Sequence, residues 1–162
     1  MRQLLKKLRT TISVYASLIE PSELGGLKIP CPLCNFPFII RLARGEMGLR
    51  CPYCRASVVH MSMAHVLNAN FDALSEYSVY ELSSRGPLVK YLNRSSRSLT
   101  VSEFWPDIPP GQWRNGIQCQ NVERLTFSDE SFDLCTSTEV FEHVVDDHIG
   151  FCEIRRVLRS GG

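Results

Sequence analysis

Hydrophobic and polar positions change period several times along this chain, and the most informative block lies near its end. Residues 132–140, FDLCTSTEV, form an apolar-rich run between polar turns, which predicts a central parallel strand buried on both faces. Residues 128–131, SDES, supply the tight turn before it. After it, Asp146 and Asp147 can cap a helix whose apolar positions Phe151, Ile154 and Leu158 recur at helical spacing. Arg155, Arg156 and Arg159 load the end of that helix, where cations suit its dipole, and Gly161 and Gly162 can end it.

The same alternation runs upstream. Residues 78–92 read as strand, glycine-containing turn and helix, and residues 98–104 as a second strand ending near Glu103. Residues 106–116 read as a loop, and residues 116–121 as a short third strand ending at Asn121. Strands and helices in this order predict an α/β sheet of about four parallel strands. Residues 60–77 are helix-compatible and bridge this body to what precedes it. Ahead of them, residues 36–41 and 48–50 predict a hairpin, with residues 56–59 as a third strand. Residues 20–26, EPSELGG, read as a linker. Residues 1–19 place Leu4, Leu5, Leu8, Ile12 and Ile19 on one side of an amphipathic helix. The expected domains are therefore an N-terminal helix and linker at 1–26, a small module at 27–60, and a larger domain at 61–162.

Composition refines this picture. At 162 residues, 44% hydrophobic and 22% charged, the chain is ordinary for a globular protein. Its net charge of +1 hides an asymmetry: residues 1–60 carry nine Lys/Arg against three Asp/Glu, and residues 61–162 nine against fourteen. A basic head suits an anionic partner or simply a solvated surface. No apolar run approaches the roughly 20 residues of a membrane span, and Lys6, Lys7 and Arg9 interrupt any secretory core. The expectation is a cytoplasmic protein.

Four cysteines carry the clearest chemistry. Cys31 and Cys34 (CPLC) and Cys51 and Cys54 (CPYC) form two C-x-x-C pairs. Each pair turns two thiolates toward one point, and two such knuckles on a hairpin close a tetrahedral shell suited to Zn²⁺. Two disulfides or a redox dithiol compete, but nothing directs export, and a redox pair is usually single. A zinc held by four protein ligands has no open position and is structural. His60 and His65 lie outside that shell, and Cys119, Cys135 and Cys152 read as reduced core residues.

Residues 121–144, NVERLTFSDESFDLCTSTEVFEHV, followed by EIRRVLRSGG at 153–162, resemble the second half of the core of class I S-adenosylmethionine-dependent methyltransferases of the type 11 group. The resemblance implies a Rossmann-like methyltransferase sheet behind the zinc ribbon, and S-adenosylmethionine as cofactor. It assigns Glu81, Ser83, Gly86, Glu103, Asn121 and Val122 to the cofactor. Glu103 stands twenty-two residues after Glu81, a spacing at which an acid at a strand end can accept from ribose hydroxyls. Ser83, Ser84 and Arg85 stand where the family has a glycine-rich loop, and Asn121 where it has Asp. Glu139, Glu142 and His143 form E-x-x-E-H: if Glu139 opens a helix, the three share one face that suits a divalent ion. His143 is alternatively a general base, and the favoured reading is a common family loop in which Glu142 and His143 are structural. The family enters a fifth strand where this sequence stops, so a C-terminally truncated domain is expected. The acceptor is expected to be a small molecule or RNA, some ribosomal RNA methyltransferases also carrying an N-terminal zinc module. The alternative is a non-catalytic zinc-ribbon scaffold, with a protein partner bound through the ribbon or the N-terminal helix.

Overall fold

The structure, a computed structural model, describes residues 25–162, so the amphipathic helix expected over residues 1–19 lies outside the described residues. The chain divides into two compact units, one ending at His65 and the other spanning Val66–Gly162. In the first, β1 (Gly25–Leu27), β2 (Ile39–Arg41) and β3 (Leu49–Arg50) form an antiparallel sheet in the order β1-β2-β3. The expected hairpin is present, but its third strand is not the expected one. The glycine pair assigned to a linker supplies β1, with Gly26 opposite Ile40. Residues 56–59 contribute a single bridge, Arg50 with Ser57, before helix α1 (Val58–Asn70) begins. The reason is local: His60 Nδ1 accepts from the Ser57 amide at 3.3 Å and lies 2.6 Å from its hydroxyl. As in one half of a capping box, the side chain three residues on takes up the Ser57 amide, and this starts a helix where a strand was predicted. Gly48 has a packing reason as well, since a Cβ there would sit 2.2 Å from the Ala43 carbonyl oxygen.

The second unit is built on a five-stranded sheet. Its strands are β4 (Ser78–Glu81), β5 (Ser98–Glu103), β6 (Trp113–Arg114), β7 (Ile117–Cys119) and β8 (Leu134–Thr136), in the order β6-β7-β5-β4-β8. Strands β4, β5, β7 and β8 run parallel, and β6 pairs antiparallel with β7. Helix α2 (Pro87–Ser95) connects β4 to β5, burying Leu88, Tyr91 and Leu92, with Pro87 in its first turn where no amide is needed. Helix α3 (Asp147–Val157) starts where predicted, because the Asp146 side chain accepts from the Ile149 amide at 3.1 Å.

Three expectations need correction here. Strand β8 is three residues long and lies at the edge of the sheet among the described residues, not at its centre. Glu139 adopts φ 56°, which ends any extended run before Val140. On α3, Phe151 is 57% exposed, and the fully covered positions are Gly150 and Val157. The loop at 106–116 contains β6, turned into β7 by Asn115 and Gly116 at φ 52° and 78°.

The core joins Tyr80, Leu82, Val122, Leu125, Phe132 and Val157. Tyr80, Phe127 and Phe132 pack ring to ring with centroids 4.9–5.1 Å apart, and the Tyr80 hydroxyl reaches Ser102 Oγ at 2.7 Å. At the opposite end of β4 from the candidate site, the Asp133 carboxylate accepts from the Ser78 amide at 2.7 Å and from Arg97 and Arg159. Arg156 on α3 bonds Glu153, Asp129 and the carbonyls of Leu125 and Phe127. No helix among the described residues is long and apolar enough to cross a membrane.

Candidate functional site

The first unit gathers sulfur. After each C-x-x-C the chain enters the left-handed region, at Asn35 (φ 58°) and Arg55 (φ 69°). The amide of each of these residues bonds back to the carbonyl of its first cysteine, at 2.8 and 2.9 Å. These turns aim all four sulfurs inward, within 4.8 Å of one another. Cys31 Sγ lies 3.7 Å from Cys54 Sγ, and Cys34 Sγ 3.6 Å from Cys51 Sγ. Sulfurs about 2.3 Å from a tetrahedral centre stand about 3.8 Å apart, whereas a disulfide needs about 2.05 Å. The donor set therefore fits Zn²⁺. Burial pushes the Cys31 thiol up to about 11 and raises Cys54 as well. For Cys51 burial is outweighed by the amides of Cys54 and Tyr53, which hold it below its ordinary value. A bound cation would favour the thiolate at every one of these positions.

The second unit gathers carboxylates at the carboxyl ends of its parallel strands. Strand β4 pairs with β5 on one side and with β8 on the other, so the chain reverses its direction of travel across the sheet at β4. In open α/β sheets ligands bind in the crevice outside such a switch point. Here Gly86, at φ 111°, opens α2. Glu81 is wholly buried: Thr136 donates to Oε2, and Ser83 donates to Oε1 at 3.0 Å. Thr138 reaches Oε1 at 3.4 Å. Burial raises the Glu81 carboxyl above the ordinary carboxylate range, the hydroxyls pulling it partly back. Glu103 Oε1 accepts from the Ser84 hydroxyl at 2.7 Å, the Ser84 amide at 3.3 Å and Arg85 Nε at 3.3 Å. Its Oε2 accepts nothing from the described residues.

The site residues expected from sequence thus fall into separate groups. Glu81 and Ser83 meet directly, and Glu103 meets the same loop through Ser84 and Arg85. The Asn121 amide oxygen accepts from the Glu123 amide at 2.9 Å, and Val122 is part of the core. Sequence reasoning missed Thr136 and Thr138, and it named Ser84 and Arg85 as loop residues without foreseeing their bonds to Glu103. The signal for the threonines is their spacing of two at a strand end, which points both hydroxyls the same way.

A family model described as "Methyltransferase domain" matches residues 83–162. Residues 83–162 are a methyltransferase domain of that family. The chain is also similar to a crystal structure from Methanococcus maripaludis, described as that of a proposed S-adenosyl-L-methionine-dependent methyltransferase. Identity is 21% over 64% of this chain and 52% of that one, with a TM-score of 0.46, so this chain spans about half the length of that structure. No curated protein matches the chain.

Within the methyltransferase domain, the E-x-x-E-H stretch does not take the expected form. Glu139 precedes the short 3₁₀ turn Phe141–His143 in a left-handed conformation, so the three side chains do not share one helical face. His143 is exposed, with Nε2 3.8 Å from Glu142 Oε1. Among the described residues only the four cysteines converge as a candidate metal cluster. Glu139 and Glu142 instead line a cleft of about 390 Å³ with Thr136, Ser137, Phe141 and Phe151. Phe141 and Phe151 stack on its wall, centroids 4.5 Å apart.

Proposed function

We propose that the methyltransferase domain binds S-adenosylmethionine at the carboxyl ends of β4 and β5 and takes part in methyl transfer to a small-molecule or RNA acceptor. The observation carrying this reading is the meeting of Glu103 with the Ser84–Arg85 loop at the switch point of the sheet. In this reading Glu103 receives the ribose hydroxyls, an acid at a strand end being suited to both. The backbone of residues 83–86 and the start of α2 meet the amino-acid end of the cofactor. Asn121 keeps a second lone pair on its amide oxygen for the adenine edge, and Val122 backs it. The bound cofactor supplies a methyl group already activated on sulfur. The chain has to orient the acceptor and exclude water. His143, exposed beside Glu142, is the candidate to take the acceptor's proton. Zn²⁺ on Cys31, Cys34, Cys51 and Cys54 is structural, closing a ribbon over residues 27–60 ahead of a domain at 61–162, with residues 1–26 as a separate N-terminal segment.

A specific observation favours a second reading, that of a non-catalytic scaffold. The polar groups expected to hold the cofactor satisfy one another: Ser84 and Arg85 take up Glu103 Oε1, and Glu123 takes up Asn121. Calorimetric titration with S-adenosylmethionine separates the two. Losing a charged hydrogen bond costs about 1.5–3 kcal/mol, so Glu103→Ala weakens the cofactor roughly tenfold or more. Arg85→Ala removes a competitor for Glu103 and strengthens binding about two- to fivefold, the worth of an exposed ion pair. Should the parent protein bind neither the cofactor nor its demethylated product at millimolar concentration, the scaffold reading stands.

A further inference from the structure

The ribbon carries a surface that metal binding does not use. Phe36, Phe38 and Tyr53 form a continuous aromatic ladder: Phe36 and Tyr53 are parallel within 1° at 5.8 Å, and Phe36 meets Phe38 edge-on at 4.9 Å. Tyr53 is 72% and Phe38 39% exposed. Strand alternation explains the side they share. Ile39 turns inward and is buried, so Phe38 and Ile40 face the other way, with Phe36 in contact beside them. The register pairs Leu27 with Ile39 and Ile40 with Arg50. Arg50 thus shares the side of Ile40, and Lys28 follows β1 directly in the chain. Arg55 ends the knuckle that presents Tyr53 and is itself exposed.

Charge points to the occupant. Residues 25–65 hold five basic side chains, Lys28, Arg41, Arg44, Arg50 and Arg55, against one acid, Glu46. Arg41 and Arg50 direct hydrogen bonds to the carbonyls of Gly45, Met47 and Leu49, which leave their charges unneutralised. Exposed rings in sequence, flanked by cations, match a chain of flat bases joined by phosphates, since bases stack on rings while phosphates meet the cations. We propose that this face of the β1-β2-β3 sheet is a docking surface for single-stranded nucleic acid, with Phe36, Phe38 and Tyr53 stacking bases and Lys28, Arg50 and Arg55 meeting phosphates. The proposal stands apart from the cofactor reading, because it uses none of the same residues.

The test is fluorescence anisotropy of the full-length zinc-loaded protein with labelled twelve-nucleotide oligouridine, oligodeoxythymidine and a duplex of equal length, over a salt series. Tyr53→Ala and Phe38→Ala are expected each to weaken single-strand binding about five- to a hundredfold, with Tyr53→Phe restoring it. Lys28→Ala and Arg55→Ala each lower the slope of log affinity against log salt by about 0.7. Zinc content of each variant, measured by elemental analysis, separates a lost contact from a lost fold. Equal affinity for the two single strands supports recognition by stacking and backbone charge, and preference for RNA supports an added contact to the 2′-hydroxyl. Duplex binding as tight as single-strand binding, ring variants that bind like the parent while keeping zinc, or no binding at low salt overturns the proposal.

Discussion

The two units gather polar atoms in opposite ways. In the ribbon, four sulfurs converge, and the donors that reach them include backbone amides such as that of Cys54, 3.5 Å from Cys51 Sγ, which carry no positive charge. In the second unit, buried acceptors find donors in the chain itself: Glu81 has Thr136 and Ser83, and Gln120 accepts from the Thr126 amide while donating to its hydroxyl. Among the described residues no buried side-chain nitrogen or oxygen lacks a partner. An unmatched cluster demands something from outside, because ionised thiolates this close repel unless a cation sits between them. A matched cluster is stable alone and must give up internal bonds before it can hold a ligand. Convergence of polar residues therefore says little by itself; the balance of donors and acceptors says whether a ligand is required.

The sharpest way to break this comparison is to take the metal away. Structural zinc contributes on the order of 10–16 kcal/mol to small domains of this kind. Cys34→Ser, or strong chelation, should abolish the expected one zinc per chain and unfold the ribbon. Hydrogen exchange would then show protection lost over Ile39–Arg41 and kept over Ser78–Glu81. Collapse of both regions together would mean the units are not independently stabilised.

The reverse experiment attacks the domain through packing. Tyr80 is 1% exposed at the centre of the ring triad, so Tyr80→Ala should cost about 3–5 kcal/mol in urea unfolding while zinc content stays unchanged. Tyr80→Phe keeps the ring and strands Ser102, which is 2% exposed, and should cost about 1–2 kcal/mol.

A smaller effect comes from pH. The Ser78 amide and Arg159 hold Asp133 below its ordinary value, and Arg156 does the same for Glu153. Their stabilisation is present above the ordinary carboxylate range and is lost as pH falls through the depressed values. Glu81 has the opposite sign: burial raises it, so its contribution is present at acid pH and declines as pH rises through the raised value. Urea midpoints measured for Asp133→Asn should lose part of the acid-side slope, and those for Glu81→Gln part of the slope above it. Parent-like slopes in both variants would remove these carboxyls from the account. The acid-side effect is modest, because water screens groups so near the surface.

Legibility followed the same division. The convergence of the four cysteines could be read because C-x-x-C fixes the geometry within a few residues. The parallel strands could be read because β4 and β5 carry strand-favouring residues, Val79, Tyr80, Thr100 and Val101, beside clear turns. What escaped depended on the path of the chain. Gly25–Leu27 looks like a linker until β2 lies alongside to accept its backbone. The E-x-x-E-H face required a helix that the left-handed Glu139 does not allow. The bonds from Ser84 and Arg85 to Glu103 arise from how the loop folds over β5, and no spacing encodes that. The β6–β7 hairpin was available in principle, since Asn-Gly favours a tight turn of that kind.

The separation between β4 and its edge partner also sets an order of events. The widest pair of cysteines in thiol contact, Cys31 and Cys54, lies 23 residues apart, whereas Val79 pairs with Leu134 across 55. At about 5–20 residues per second, a growing polypeptide presents one side of β4 on the order of three to ten seconds before β8 exists to cover it. The four cysteines of the ribbon can converge during that interval, while Val79 and Tyr80 wait with an open flank. Synthesis thus passes through a species with a finished head and a half-built sheet, and that interval is when strand β4 is most open to pairing with a neighbouring chain.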